Sequence, residues 1–308
     1  MSHPYELTPR GPFDLALQQR AFGSWPLFEP EPGTLAMAFP VEGWIGSAAV
    51  LIRQPSRDRL TATVHGANGA LADRAWQQAL AVLSLDVDGS GFPGVGEADP
   101  VIGRIGSAHS WMRPVLFHSP YEAACNFIIG QRISMAQALA LRLRMAADSG
   151  DGVTADGVTL HAFPRPQQLL LVTEVRGLPA EKLARLHGVA RAALDGILDR
   201  DRLRALPVAA ALAELGQLRG VGLFSSQGIL YRGAGLVDEI TDDEVGKQAV
   251  QRLYDLDHLP SHAEVLELAE RWRPYRMWAL VLLHVWIRGD GGGLPPRRRR
   301  TAQDARPG

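Results

Sequence analysis

Two carboxylates and two glycines are the residues of this chain whose types and spacing suit chemistry. Asp242 and Asp243 follow Thr241 where the pattern marks a helix start. A carboxylate there meets unpaired amides and the positive end of the helix dipole, which favour its ionised form. Beside a substrate it can stabilise developing positive charge or orient a water. Asp242 is read as a plain capping residue, and Asp243 as the carboxylate with chemistry to do. Upstream, Leu218-Arg219-Gly220-Val221-Gly222 lies between two helical segments. Two glycines one residue apart permit a tight hairpin with positive φ and leave backbone amides uncovered. Those amides, at the start of a helix beginning at Leu223, can hold an anion such as a phosphate without any side-chain charge.

Other chemistry is restricted by composition. Only Lys182 and Lys247 are lysine, so amine nucleophiles number two at most. Lys247 lies one helical turn after Asp243 and is read as a surface or ion-paired residue. The single cysteine, Cys125, sits in an apolar stretch and is read as a small buried hydrophobe. One cysteine excludes internal disulfides, thiolate zinc sites and iron–sulfur clusters. The histidines form no ligand-spaced cluster with carboxylates, so no metal is expected.

The elements that must position these residues follow from periodicity. Segments 34–40, 45–54 and 59–65 are rich in Val, Ile, Thr, Ala and Leu between turn residues, which predicts an antiparallel sheet. Segments 13–22 and 73–85 carry helical spacing. The fold class expected is α+β: an N-terminal sheet and helix domain over 1–96, closed by a Gly/Pro linking loop at 89–96, then a mostly helical domain over 97–288. Helices are predicted over 120–129, 134–147, 166–172, 179–194, 207–215, 223–231, 244–256, 262–272 and 275–287. Ser261 with Glu264, and Thr241 with Glu244, match the capping-box pattern. Residues 289–308 have Gly, Pro and Arg content without apolar periodicity, which predicts a disordered basic tail. Its arginines 297–300 suit sequence-independent attraction to phosphates.

In its order of motifs the chain resembles the helix-hairpin-helix DNA glycosylase superfamily, and within it the bacterial 3-methyladenine DNA glycosylase II (alkylbase) family. The resemblance rests on the hairpin, on the Asp242-Asp243 pair, on Glu270-Arg271-Trp272-Arg273-Pro274-Tyr275-Arg276 and on Leu282-Leu283-His284-Val285-Trp286. Upstream, 127–134 (FIIGQRIS) and 163–166 (FPRP) match in the same order. It extends over roughly residues 5 to 288. It implies a helix-hairpin-helix glycosylase domain and a monofunctional hydrolase of base excision repair. Such an enzyme everts alkylated bases of the 3-methyladenine and 7-methylguanine class and cleaves the N-glycosidic bond, leaving an abasic site. Asp243 is then the catalytic carboxylate. Phe224, Tyr275 and Trp278 line the base pocket, where a cationic base meets electron-rich rings. Leu218, Gly220, Val221 and Gly222 contact DNA, and Gln131 or Arg132 fills the gap left by the everted base.

Relatives that also cut the backbone carry a lysine where this chain has Phe224, so no lyase activity is expected. Arg132 departs from the apolar or amide residue usual at the wedge. Gly228 stands where close relatives have an aromatic residue, which predicts a roomier pocket and leaves the lesion open among 3-methyladenine, 7-methylguanine, hypoxanthine and other bases. Three alternatives stand beside the main reading: a catalytically silent DNA-binding protein, a glycosylase for deaminated or oxidised bases, and a helical scaffold or partner-binding protein whose glycines and aspartates are only turns and caps. The partner expected is damaged double-stranded DNA, the state a monomer, and the cofactor none, with a monovalent cation at the hairpin compatible with the resemblance. A net charge of −1 and a pI near 6.8 give no global attraction to a polyanion, so phosphate binding must be local. No apolar run spans a membrane and no leader is seen at the start, which suggests a cytoplasmic protein, at the nucleoid when engaged on DNA.

Overall fold

The computed structural model describes residues 2–22, 28–31 and 33–289. The expected basic tail, apart from Gly289, therefore lies outside the described residues. The N-terminal part is a five-stranded antiparallel sheet, β1 (Ser2–Leu7), β2 (Phe28–Glu31), β3 (Thr34–Pro40), β4 (Ser47–Ser56) and β5 (Arg59–His65), in the order β1-β5-β4-β3-β2. The three central strands fall where the β-branched and aliphatic runs predict them. The two edge strands were not expected. Each carries a proline, Pro4 and Pro30, and neither has an apolar run; such sequences are tolerated at sheet edges, where a ladder amide can be absent.

Both faces of the sheet centre are covered. Alternation along β5 turns Leu60, Ala62 and Val64 inward with Leu35, Met37, Val50 and Ile52. The helix Ala70–Val82 covers them with Ala72, Ala75, Trp76 and Ala79. On the opposite face, Ala36, Ala49 and Leu51 pack against Val153 and Ala155 of a hairpin formed by β6 (Gly152–Ala155) and β7 (Val158–His161). That hairpin belongs to the chain's helical part, so the two halves are packed together rather than strung on a linker. Residues 89–96, expected as a linking loop, contain a 3-10 turn at Phe92–Gly94 and enter the core through buried Phe92.

Beyond it the chain is helical, as predicted. Buried Asp99, unpredicted as an organiser, begins the helix Pro100–Ala108 by accepting from the amides of Val101 (3.0 Å) and Ile102 (3.4 Å). Its other oxygen accepts from Tyr254 Oη at 2.6 Å and Trp272 Nε1 at 2.9 Å, so one carboxylate joins three elements. The predicted helix over 223–231 is an α-helix only over Leu223–Gln227 and then widens to a π-helix over Gly228–Ala234. Gly228 explains the close packing here. A Cβ on it would lie 2.1 Å from the ring of Phe127, so that ring, and not open space, occupies the room the missing side chain leaves. The roomier pocket expected from Gly228 is therefore not found at that position.

Candidate active site

Asp243 is the N-cap of the helix Glu244–Leu253, with extended backbone at φ −131° and ψ 144°. Its Oδ1 accepts from the Gly246 amide at 2.7 Å, and its Oδ2 accepts from Thr241 Oγ1 at 3.1 Å. The Thr241–Glu244 capping box is thus corrected: the cap lies two residues later, and Thr241 serves it. His284, from the helix Arg276–Arg288, places Nε2 2.9 Å from the same Oδ1. A carboxylate can only accept, so Nε2 is the donor. The Asp243 side chain keeps 14% of its surface exposed. Burial pushes its pKa up, but the hydrogen bond and charge of His284, then the Gly246 amide and Thr241, together hold it below the ordinary carboxylate value. The result is an ionised oxygen pair, fixed in place and partly open.

Asp242 is not a cap. It forms an ion pair with Lys247 at 2.5 Å, lies 4.0 Å from His262, and its amide donates to Gln227 Oε1 at 3.3 Å. Lys247 is therefore ion-paired, as expected. The other lysine, Lys182, donates to the carbonyls of Ile129 (2.7 Å) and Gln131 (2.6 Å). Neither amine of the chain is held free beside Asp243.

His284 also lines a cavity of about 440 Å³. The residues that give it its chemistry are Arg20, His109, Trp111, Arg232, His284 and Arg288. None of Phe224, Tyr275 and Trp278 lines it. Trp278 is 1% exposed and Tyr275 9%; their rings lie 5.4 and 5.7 Å from that of Phe92 and 5.2 Å from each other, centroid to centroid. Tyr275 Oη is used by the Asp88 carbonyl at 2.7 Å, and the Arg113 guanidinium lies 5.3 Å from the Trp278 ring centre. Tyr275 and Trp278, expected to line a base pocket, are buried, and their faces join the 89–96 segment to the helical core. Phe224 differs, being 55% exposed and edge-on to Phe127 at 5.8 Å.

The hairpin has the predicted geometry. Gly220 has φ +90° and passes so close to Arg185 that a Cβ would meet its Cδ at 2.8 Å, while Gly222 is exposed and caps the helix Leu223–Gln227. Val221 is buried and half-buried Leu218 packs on the same core, so these two can offer an anion only backbone. Carbonyls of Leu218 and Gly220 each accept one hydrogen bond, from Val221 N (2.9 Å) and Gln131 Nε2 (2.6 Å). Each keeps a lone pair with which to ligate a monovalent cation.

Gln131 is not a free wedge. Its amide nitrogen is held by Gly220 O, and its oxygen accepts from Arg185 Nη1 at 2.9 Å, so it is a strut between the 130–132 turn and the hairpin. Arg132, exposed and in the left-handed region at φ +59°, is the residue of the turn that projects.

Sequence reasoning quoted His284 within a motif but gave it no role, and it missed Arg232 altogether. The histidine lies 41 residues from its partner, a pairing that only the fold makes.

Comparison with known proteins agrees with the motifs. No protein-family profile matches the chain. The fold is that of the helix-hairpin-helix DNA glycosylases. The 3-methyladenine DNA-glycosylase of Archaeoglobus fulgidus superposes with a TM-score of 0.77 over 92% of this chain and 98% of its own, at 20% identity. The 8-oxoguanine glycosylase/lyase of Clostridium acetobutylicum, crystallised with double-stranded DNA, superposes at 0.71 over 94% and 98%, at 15% identity. By sequence the chain is a relative of the DNA-3-methyladenine glycosylases. It is 24% identical to the Bacillus subtilis protein of that name over 206 residues, 65% of this chain and 68% of the relative. It is 29% identical to DNA-3-methyladenine glycosylase 2 of Escherichia coli over 192 residues, 60% and 63%. The matched segment thus spans about two thirds of these relatives.

Proposed function

We propose that this chain is a monofunctional DNA glycosylase that excises damaged bases from duplex DNA, with Asp243 as the catalytic carboxylate. The observation that carries the reading is a carboxylate held ionised by His284, Gly246 and Thr241, one hydrogen bond from the wall of a cavity large enough for a nucleobase. In such a site the bond between C1′ and the base nitrogen breaks with its electron pair going to the base. Positive charge develops on the sugar, and the fixed carboxylate stabilises it and orients the water whose oxygen then bonds to C1′. The water's second proton passes to the carboxylate and on to the departed base, leaving an abasic site.

DNA is held locally. Hairpin amides at Gly222 and beyond suit a phosphate, and exposed Arg132 and Arg219 flank them. Arg132 is the candidate to fill the vacated position, and exposed Phe224 a surface on which a base can stack. One chain contains every group named, so a monomer suffices.

Absence of lyase activity is part of the proposal. A Schiff base needs a free amine beside the sugar. Lys247 is committed to Asp242, and Lys182 to two carbonyls. Among substrates, the names of the sequence relatives point to 3-methyladenine, and the motif resemblance extends this to alkylated bases of the 7-methylguanine kind. Incubation with alkylated duplex DNA and borohydride tests the hydrolytic mechanism. Free base and abasic DNA with no covalent protein–DNA adduct is expected, and an adduct would overturn it.

A further inference from the structure

Cations of the glycine hairpin and of the turn beside it converge on one carboxylate. Glu181 lies in the first turn of the helix Ala180–Leu194; its Oε1 accepts from Arg185 Nη2 at 2.5 Å and lies 3.7 Å from Arg219 Nη2. The hydrogen bond and charge of Arg185 hold the Glu181 carboxyl below the usual carboxylate range, and the charges of Arg219 and then Arg132 add to the effect. Its neighbour Lys182 feels the same crowding with the opposite result: burial, then Arg185 and Arg132, lowers the pKa of its ammonium. One negative charge thus serves a corner made of positive ones.

The arginines are not held alike. Arg185 is part of the framework: its side chain is 23% exposed, its Nη1 donates to Gln131 Oε1 at 2.9 Å, and it packs under Gly220. Arg219 is 74% exposed, and at 3.7 Å its contact with the half-open Glu181 is longer than a hydrogen bond. Arg132 is exposed as well. Water screens an exposed pair of this kind, so little holds it together. A phosphate of a DNA strand is the stronger partner, because each cation that meets one releases condensed counterions. Arg219 directly precedes Gly220 in the hairpin, so a strand held by the hairpin amides brings its phosphates to an arginine already shared with a carboxylate.

Resting on the DNA-binding reading above, we propose that Glu181 is an internal competitor for DNA: its carboxylate stands in for a strand phosphate in the free protein and yields Arg219 to that phosphate when duplex is bound. Arg185 keeps its bond to Glu181 throughout, so the hairpin and the 130–132 turn retain their register while the outer arginine changes partner. Phosphates are alike in every sequence, so the competition loosens the hold on damaged and undamaged duplex to the same degree. Glu181 is a residue that sets affinity and takes no part in breaking the glycosidic bond. Its effect is a protein that releases undamaged DNA readily.

The test is the affinity of the wild type and of Glu181→Gln for an undamaged duplex and for one carrying a single alkylated base, read by fluorescence anisotropy over a series of salt concentrations. Gln retains an oxygen for Arg185 and removes only the charge. The variant is expected to bind both duplexes about threefold tighter at low salt and to lose affinity more steeply as salt rises. With Arg219→Ala beneath it the gain should vanish, since the arginine it frees is then absent. Asp58→Asn, in the turn between β4 and β5, makes the same change in net charge and should leave affinity where it was. Weaker binding by Glu181→Gln would make Glu181 a support for Arg185 and overturn the proposal. Unchanged affinity, a gain that survives Arg219→Ala, or an equal gain from Asp58→Asn would overturn it too. A wild type without salt-dependent affinity for either duplex would instead overturn the DNA-binding reading itself.

Discussion

The corner around Asp243 and the aromatic knot of Phe92, Tyr275 and Trp278 are built from neighbouring elements and to opposite ends. In the knot Tyr275 Oη is matched by the Asp88 carbonyl and Arg113 by the carbonyls of Pro12, Ser84, Val87 and Arg10, while Trp278 Nε1 is buried without a partner. Phe92 meets both other rings edge to face, and Tyr275 and Trp278 meet at a tilt. In the corner, the carboxylate is fixed by three donors yet keeps part of its surface, and Arg232, of the adjoining cavity's lining, has a buried Nε without a partner. Residue type alone would have assigned the aromatic residues to binding and the arginine to the surface. What separates a site from a core here is whether a fixed polar group keeps surface open to something else, as Asp243 does and Trp278 does not.

The sharpest way to break this contrast is Trp278→Ala. If the knot is structural, the change costs about 3–5 kcal/mol of stability, as large aromatic truncations in cores do, seen as a lower denaturant midpoint. Base release per folded molecule should change far less than stability. A native midpoint with release abolished would move Trp278 to the site.

A smaller effect is expected of His284→Ala, on the other side of the contrast. Burial pushes the Asp243 carboxyl up, and the His284 hydrogen bond is the largest influence holding it down. Without it the carboxyl protonates at higher pH, so the acidic limb of the pH–rate profile should move upward and release at neutral pH should fall about tenfold. His284→Gln, which retains an N–H donor, should restore part of both. A lowered rate with an unmoved acidic limb would mean that the histidine only packs.

The mildest change tests the strut between the 130–132 turn and the glycine hairpin, the elements proposed to face DNA. Gln131→Ala removes hydrogen bonds to Gly220 and from Arg185 and should cost about 1 kcal/mol. Affinity for duplex should weaken about fivefold, read by fluorescence anisotropy, because hairpin and wedge turn no longer share a register. Unaltered affinity would show that the two elements hold their positions independently.

How legible these features were depends on the range of the interactions that make them. Strands β3 and β5 were read from local alternation at their observed bounds, since each is an apolar run between turn residues. Edge strands β1 and β2, with their prolines, owe their pairing to neighbours and left no local pattern. The hairpin β6–β7 carries a local signal, apolar residues alternating around Asp156-Gly157, but its packing on the sheet appears only when the chain is folded. At the site, Gly220 and Gly222 were legible because a tight hairpin makes demands within five residues, and Asp243 because a helix start does. The position of the cap was not: Thr241 with Glu244 fits the same pattern, and only Oδ1 on the Gly246 amide decides between them. His284 reaching back to Asp243, Phe127 filling the niche at Gly228, and the burial of Trp278 are long-range consequences of helix packing, which no residue spacing records.

Single-turnover base release by the wild type and by Asp243→Asn, on the same lesion-bearing duplexes and with binding measured in parallel, tests the central claim most directly. The isosteric amide removes the negative charge while leaving an oxygen to meet the Gly246 amide. The expectation is that both proteins bind the damaged duplex and that release by the variant falls by about 10²-fold or more, the scale on which a single electrostatic stabiliser acts. Equal release by both, or tight binding by a wild type that frees no base, would contradict it.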